Sequence, residues 1–463
     1  VKSRISRRSL VALAALLLAA PLAPAAHATE TGAHLEGVLP SGATYVMDKP
    51  DSWNGTVLLY SHGYNPAGLP NPARNAPDDA TKSLLLKDGY ALIGSSYASN
   101  GWAVTDAVPD QLATLDAFAS HFGPARRTIA WGTSYGGLVT AMIAERHPDR
   151  ISGSLSMCGL LQGGVANWNN TLDPVFALKT LLAPDTDLPL TGLASQEAAA
   201  EAADTLASAV TEAQQTASGR ARIALAAALQ GIPGWNDPSQ TRPAPTDWDA
   251  QQANQYQALM LQVRFPAFSW RQEAESRVGG NMSWNTGVDY TAMLHRAPLY
   301  KEVGELYAKA GLSLKADLAT LNRAPRIAAD AKAVERMALT SSFIGRLPKP
   351  QLTVHTTGDG LIPVSAESAY RRTVTASGSA PLLRQAFVEN AGHCTFSSAE
   401  QSAALHALET RITTGHWQGT EPAALNARAA QDDPAVPARY VRHHPAPFPR
   451  PYDLAHPADR YRP

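Results

Sequence analysis

The sequence predicts an α/β protein with a mostly parallel central sheet, and three observations carry that prediction. Short continuous apolar runs, such as residues 56–61 and 90–96, have the pattern of strands buried on both faces. Segments whose apolar residues recur every three or four positions, the helical period, stand between them. Turns containing glycine, histidine or aspartate follow several of the runs, at the strand ends where such sheets present functional side chains.

In order, residues 32–49 read as two strands joined by the Pro40-Ser41-Gly42 turn, an opening hairpin. The run 56–61 ends in His62-Gly63-Tyr64. Residues 80–88 are predicted helical, 90–96 a buried strand and 109–122 a helix. Residues 128–131 form a strand that passes through Gly132-Thr133-Ser134-Tyr135-Gly136 into a helix ending near His147, and 151–157 form another strand. The alternation then stops. Between about 159 and 347 only helical patterns occur, at 172–182, across the alanine-rich 196–230, and at 249–265, 290–310 and 327–340. This predicts a helical cap, residues 159–348, inserted into an α/β domain made of residues 29–158 and 349–418. Trp235, Trp248, Trp270 and Trp284 are read as stapling the cap's own core, with the lining of a substrate cleft as the alternative. Sheet patterns resume at 351–357 and 382–388, followed by a helix over 398–414. Residues 419–463 are rich in Pro, Ala and Arg without apolar periodicity, which predicts an extended or partly disordered tail.

The first residues read as an export signal rather than as part of the fold. Lys2, Arg4, Arg7 and Arg8 precede an apolar run over 10–20, and Ala26-His27-Ala28 offers small residues where a signal peptidase cuts, so residues 1–28 are expected to be removed. The run is too short to span a bilayer, so no stable membrane anchor is expected. Ser6-Arg7-Arg8-Ser9-Leu10 also permits twin-arginine export beside the Sec route. Taking the leader's four basic residues from the chain's 39 leaves 35 against 40 acidic, a net charge of −5 and no basic surplus for nucleic acid. An exported chain with two cysteines, Cys158 and Cys394, is more consistent with a disulfide than with a metal site.

The chemistry gathers at three turns. Glycines two residues either side of Ser134, at a strand-to-helix passage, describe a nucleophile elbow: the turn is too tight for side chains at Gly132 and Gly136, and it exposes the serine hydroxyl. Asp359 stands in the turn after the strand 351–357, and His393 in the loop after 382–388. The order Ser134, Asp359, His393 assigns a nucleophile, a carboxylate orienting the imidazole, and a general base. Glu389 is the reserve carboxylate. His355 sits inside an apolar strand and reads as core, while His406, His416, His443 and His444 fall in or after the last helix. Backbone N–H groups of Tyr135 and Tyr64 are the candidate oxyanion donors, with the Tyr64 phenol as a second possibility. No metal or cofactor is required.

On these motifs the chain resembles the α/β-hydrolase fold superfamily over about residues 33–158 and 349–415. The resemblance implies a serine hydrolase with a cap inserted after the strand that follows the nucleophile helix, most often acting on carboxylic esters, so the expected partner is a small-molecule or polymeric ester. The Ser134-Tyr135-Gly136-Gly137 run is also similar to prolyl-oligopeptidase-type and secreted aminopeptidase members, which makes a peptidase or amidase the alternative. On this fold Cys158 and Cys394 would meet at the catalytic edge of the sheet, and a bond between them would clamp the histidine loop. Tannase and feruloyl-esterase enzymes similarly tether a triad histidine, although there the partner cysteine adjoins the serine.

Overall fold

The computed structural model describes residues 32–452 and 454, so the expected leader lies outside the described residues. Among the described residues nine strands form one sheet: β1 Gly32–Val38, β2 Thr44–Pro50, β3 Thr56–Ser61, β4 Ala91–Ser95, β5 Arg127–Thr133, β6 Gly153–Met157, β7 Gln351–Gly358, β8 Leu383–Ala391 and β9 Tyr440–Val441. They lie in the order β1-β2-β4-β3-β5-β6-β7-β8-β9. The six from β4 across to β8 pair in parallel, whereas β1, β2 and β9 join antiparallel at the two edges.

The apolar runs are explained by burial on both faces. Every residue of β3 is buried, with Val57 and Leu59 entering the core on one side of the sheet and Leu58 and Tyr60 the core on the other. Burial of each such side chain stabilises the fold by about 1.5–3 kcal/mol relative to exposure. This parallel arrangement points the carboxyl ends of β3, β5, β6, β7 and β8 to one edge of the sheet.

Between β6 and β7 the described chain is helical and strand-free, as the sequence indicated, and much of it packs around a separate apolar core that includes Leu172, Leu206, Leu225, Phe268 and Tyr307. The alanine-rich stretch divides into helices Gln196–Ala213 and Ala217–Gln230, each begun by a side-chain cap: Ser195 accepts from the Ala198 N–H and Thr216 from the Gly219 N–H. The pattern at 290–310 divides likewise, into Tyr290–Arg296 and Tyr300–Lys309 around Pro298. The helix expected to begin at Pro109 begins at Val104 and carries the proline in its second turn.

The C-terminal stretch differs from the expected extended tail. Helix Pro422–Asp432 buries Leu425 and Ala429, a single i, i+4 pair, in the core beneath the sheet. β9 then extends the sheet beside β8, and Arg450 bonds the fully buried Asp173 at 3.1 Å. One pair of small apolar residues is too weak a periodicity to stand out in the sequence; packing against the helix Ser398–Thr414 completes it. Among the described residues no helix is long and apolar enough to cross a membrane.

Candidate active site

β5 delivers Ser134 to the carboxyl edge in a strained conformation, φ 58° and ψ −125°. The strain follows from the tight strand-to-helix passage. A Cβ on Gly132 would stand 2.7 Å from the Ser61 carbonyl oxygen, and one on Gly136 would run into the Ser61 and His62 carbonyls. The other non-glycine residues at positive φ among those described are Tyr97, Cys158 and Cys394, which follow β4, β6 and β8. Backbone strain is thus concentrated where the chain leaves the sheet on this edge.

The three groups separated in sequence converge here. His393 Nε2 lies 2.7 Å from Ser134 Oγ, and His393 Nδ1 lies 2.6 Å from Asp359 Oδ2. The second Asp359 oxygen accepts the N–H groups of Leu361 and Ile362, both at 2.9 Å, which fixes the carboxylate. Burial alone would raise the Asp359 pKa, but the charge of His393 and the hydrogen bonds from His355 and His393 outweigh it and bring it to about 2. The carboxylate is therefore ionised throughout the neutral range and holds the proton of His393 on Nδ1, leaving Nε2 to take one from the serine.

The histidine loop is held from several sides. Cys394, next to His393, forms a disulfide with Cys158, with the α-carbons 5.4 Å apart. The Gly392 N–H donates to the Gly358 carbonyl at 2.9 Å, and Thr356 Oγ1 donates to the Gly392 carbonyl at 2.7 Å, tying the loops after β7 and β8 together. Cys158, His393 and Cys394 also form a cluster of metal-ligand atom types. Its sulfurs are bonded to each other, so they offer no thiolate to an ion.

At the serine, the Ser134 N–H is occupied by the Met157 carbonyl at 2.9 Å. The N–H of Tyr135, first residue of its helix, belongs to the group that a helix leaves without an internal acceptor. The loop after β3 faces the same point, since a Cβ on Gly63 would stand 3.6 Å from that of Ser134. The backbone of Tyr64 follows directly, whereas its phenol faces the Glu273 carboxylate. Burial first, and then the Glu273 charge, push the phenol pKa well up.

The remaining candidates lie elsewhere. Glu389 is exposed and pairs with Arg242. His406 pairs with Asp88 at 3.2 Å, and His443 packs edge-on against Phe387. His355 is buried as expected, but 3.4 Å from the Asp359 carboxylate.

A cavity of about 220 Å³ opens onto Ser134 and His393, walled by Tyr64, Trp102, Tyr135, Trp168 and Trp270 together with Leu160, Pro266, Leu361 and Ile362. Asn167, Thr171 and Gln262 supply its polar groups. Trp270 thus lines the cleft rather than stapling the cap, and its ring packs 4.5 Å from that of Tyr64. Trp284 instead enters the core beside the sheet. Trp102 and Trp168 escaped sequence reading, although each is near a strand-end loop: Trp102 follows Asn100-Gly101 after β4, and Trp168 follows Gly163-Gly164 after β6. A larger cleft of about 660 Å³, bordered by Trp235, Trp248 and Glu302, contains none of the three converging groups.

A serine on a strained turn, relayed through an imidazole to an ionised carboxylate beside an aromatic-walled pocket, gives the protein the equipment of a hydrolase. Comparison with known proteins supplies the family. Residues 92–399 match the alpha/beta hydrolase fold family, and the chain belongs to it. The chain is 30% identical over 443 residues to an o-phthalyl amidase of Xanthobacter agilis, an alignment covering 90% of this chain and 96% of that protein. Among solved structures it is similar to feruloyl esterase B from Aspergillus oryzae, at 14% identity, TM-score 0.39, and coverage of 83% of this chain and 82% of that one. It is also similar to the Pyrococcus furiosus esterase Pf2001, at 12% identity, TM-score 0.37, and coverage of 84% and 92%.

Proposed function

We propose that this protein is an exported serine hydrolase that cleaves esters and amides of small aromatic carboxylic acids through an acyl-enzyme on Ser134. The observation that carries the reading is the aromatic-walled cavity of about 220 Å³ facing the Ser134–His393 pair. Its size suits a small acyl group rather than a long chain or a folded peptide, and its walls suit a flat ring. Ester cleavage is the less demanding reaction, because an alkoxide leaves more readily than an amine. Amide cleavage is favoured by the likeness to the Xanthobacter agilis amidase.

In this mechanism His393 takes the Ser134 proton as the hydroxyl attacks the acyl carbon, and returns it to the departing alcohol or amine. The N–H groups of Tyr135 and Tyr64 stabilise the oxyanion. Water then attacks the acyl-enzyme with His393 again as base. Residues 159–348 serve as the cap, contributing Trp168, Gln262, Pro266 and Trp270 to the acyl pocket. Export is supported by the Cys158–Cys394 disulfide, a bond that persists in oxidising compartments.

The test is a paired assay of the chain and its Ser134→Ala variant on nitrophenyl esters and anilides of benzoic, ortho-methoxybenzoic, phthalic and octanoic acids. Aromatic acyl groups are expected to turn over at least tenfold faster than octanoyl, the variant is expected to be inactive, and a fluorophosphonate should label Ser134 alone. Faster octanoyl turnover would overturn the acyl assignment, and an active Ser134→Ala variant would overturn the mechanism.

A further inference from the structure

His355 lies on β7, four residues before Asp359, and is fully buried. Its Nδ1 faces Glu367 Oε1 at 3.2 Å, while its Nε2 faces the Ile362 carbonyl at 3.0 Å and Asp359 Oδ2 at 3.4 Å. All three neighbours are acceptors. A neutral imidazole carries one N–H, so either tautomer would set a bare ring nitrogen against an acceptor away from water; the imidazolium donates from both sides. Glu367 is held for this contact, because its other oxygen accepts from Thr353 Oγ1 at 2.6 Å and from Gln385. Burial alone would keep the ring neutral, but the hydrogen bonds and charges of Asp359 and Glu367 prevail and raise its pKa to about 10.

We propose that His355 is a buried, permanently charged imidazolium that positions Asp359 and moderates the negative charge His393 feels. It is a positioning residue that touches neither Ser134 nor the acyl pocket, and the proposal rests on the triad described above. The groups facing it are Asp359 from the turn after its own strand, Glu367 from the helix Ala366–Ala376, His393 beyond Asp359, and His443, whose ionisation its charge opposes. With His355 charged, the sum over Asp359, Glu367 and His355 is −1; without that charge it is −2. The protonated His393 formed during acyl transfer therefore shares the Asp359 carboxylate with a second cation. Its proton is held less tightly and passes more readily to the leaving group, and the relay works at lower pH than an unaccompanied carboxylate would allow.

Two measurements test this. In the intact chain labelled with nitrogen-15 in its histidines, both ring nitrogens of His355 should carry protons at pH 7.5; a ring with one proton would overturn the proposal. This readout requires no turnover, so it stands apart from the hydrolase reading, whose own failure would be absent fluorophosphonate labelling of Ser134. In the His355→Gln variant the acid limb of kcat/KM on a benzoate ester should move to higher pH by on the order of one unit, a tenfold loss of activity on that limb. His355→Gln/Glu367→Gln removes one charge of each sign and should shift the limb less, in the same direction. This second variant also serves if the first, with two unbalanced buried carboxylates, does not fold. An acid limb unmoved in the variants, with only kcat lowered, would reduce His355 to a structural residue.

Discussion

Removing the disulfide by Cys158→Ala/Cys394→Ala separates two roles that the bond combines. Alanine is the suitable replacement because Cys158 is fully buried among Trp131, Met157 and Val354, where a serine hydroxyl would add an unsatisfied polar group. The bond closes a loop of 236 residues, which on the chain-entropy estimate corresponds to about 5 kcal/mol at 25 °C. That figure is an upper bound, because residual structure in the unfolded chain reduces what a cross-link contributes. The expected loss of stability is therefore about 2–4 kcal/mol, measured by urea unfolding followed through tryptophan fluorescence. The catalytic effect has a different origin. His393 keeps its bond to Asp359, and Gly392 keeps the Gly358 and Thr356 contacts, so the ring stays near the serine but less well fixed. A misplacement of about 1 Å costs on the order of 100-fold, so kcat is expected to fall roughly 10- to 100-fold. KM should change less than threefold, because most of the cavity wall, including Tyr64, Trp102, Trp168, Gln262 and Trp270, comes from elements away from the two cysteines. If kcat stays within twofold while stability drops as estimated, the bond is a staple and the clamp argument is wrong; a raised KM at constant kcat would contradict it equally.

Three further outcomes follow from particular contacts. Asp359→Asn leaves the geometry in place but favours the wrong His393 tautomer, so kcat should drop by about 10³–10⁴. Glu389→Gln, which changes only an exposed pair with Arg242, should leave kcat within twofold; the opposite ranking would move the acid role to Glu389. Glu302 is buried, one of its oxygens has no partner among the described residues, and burial pushes its pKa up to about 7. A raised folded-state pKa means stability complete below about pH 4.5 and declining as pH rises towards 7. Glu302→Gln, neutral at every pH, should accordingly raise Tm by roughly 2–4 °C at pH 8 and leave it unchanged near pH 4.5. Equal effects at both values would show that the gain has another source.

The strands, the Ser134 turn and the three converging groups were legible in the sequence because their causes are local. A strand buried on both faces is built mainly from apolar residues, as the runs Val57–Tyr60 in β3 and Ala91–Ile93 in β4 are. A tight strand-to-helix turn requires glycines at 132 and 136, and a parallel sheet brings the turns after β5, β7 and β8 to one edge whatever the distance between them in the chain. Even Cys158 and Cys394 could be paired on that basis, since each follows a strand leading to the same edge. What tertiary structure alone decided depends on neighbours remote in sequence. Tyr64, Trp102, Trp168 and Trp270 become one pocket wall only when helices from different parts of the chain close over Ser134, and no spacing announces that meeting. His355 looks like any polar residue in a buried strand until Glu367, Ile362 and Asp359 surround it with acceptors. Residues 422–441 acquire a helix and a strand because the last helix of the sheet layer and the edge of β8 give one small apolar pair and two residues of backbone something to pack against. Local sequence determines which conformations are open to a segment; burial and charge, which arise only from contact, determine what its side chains can do.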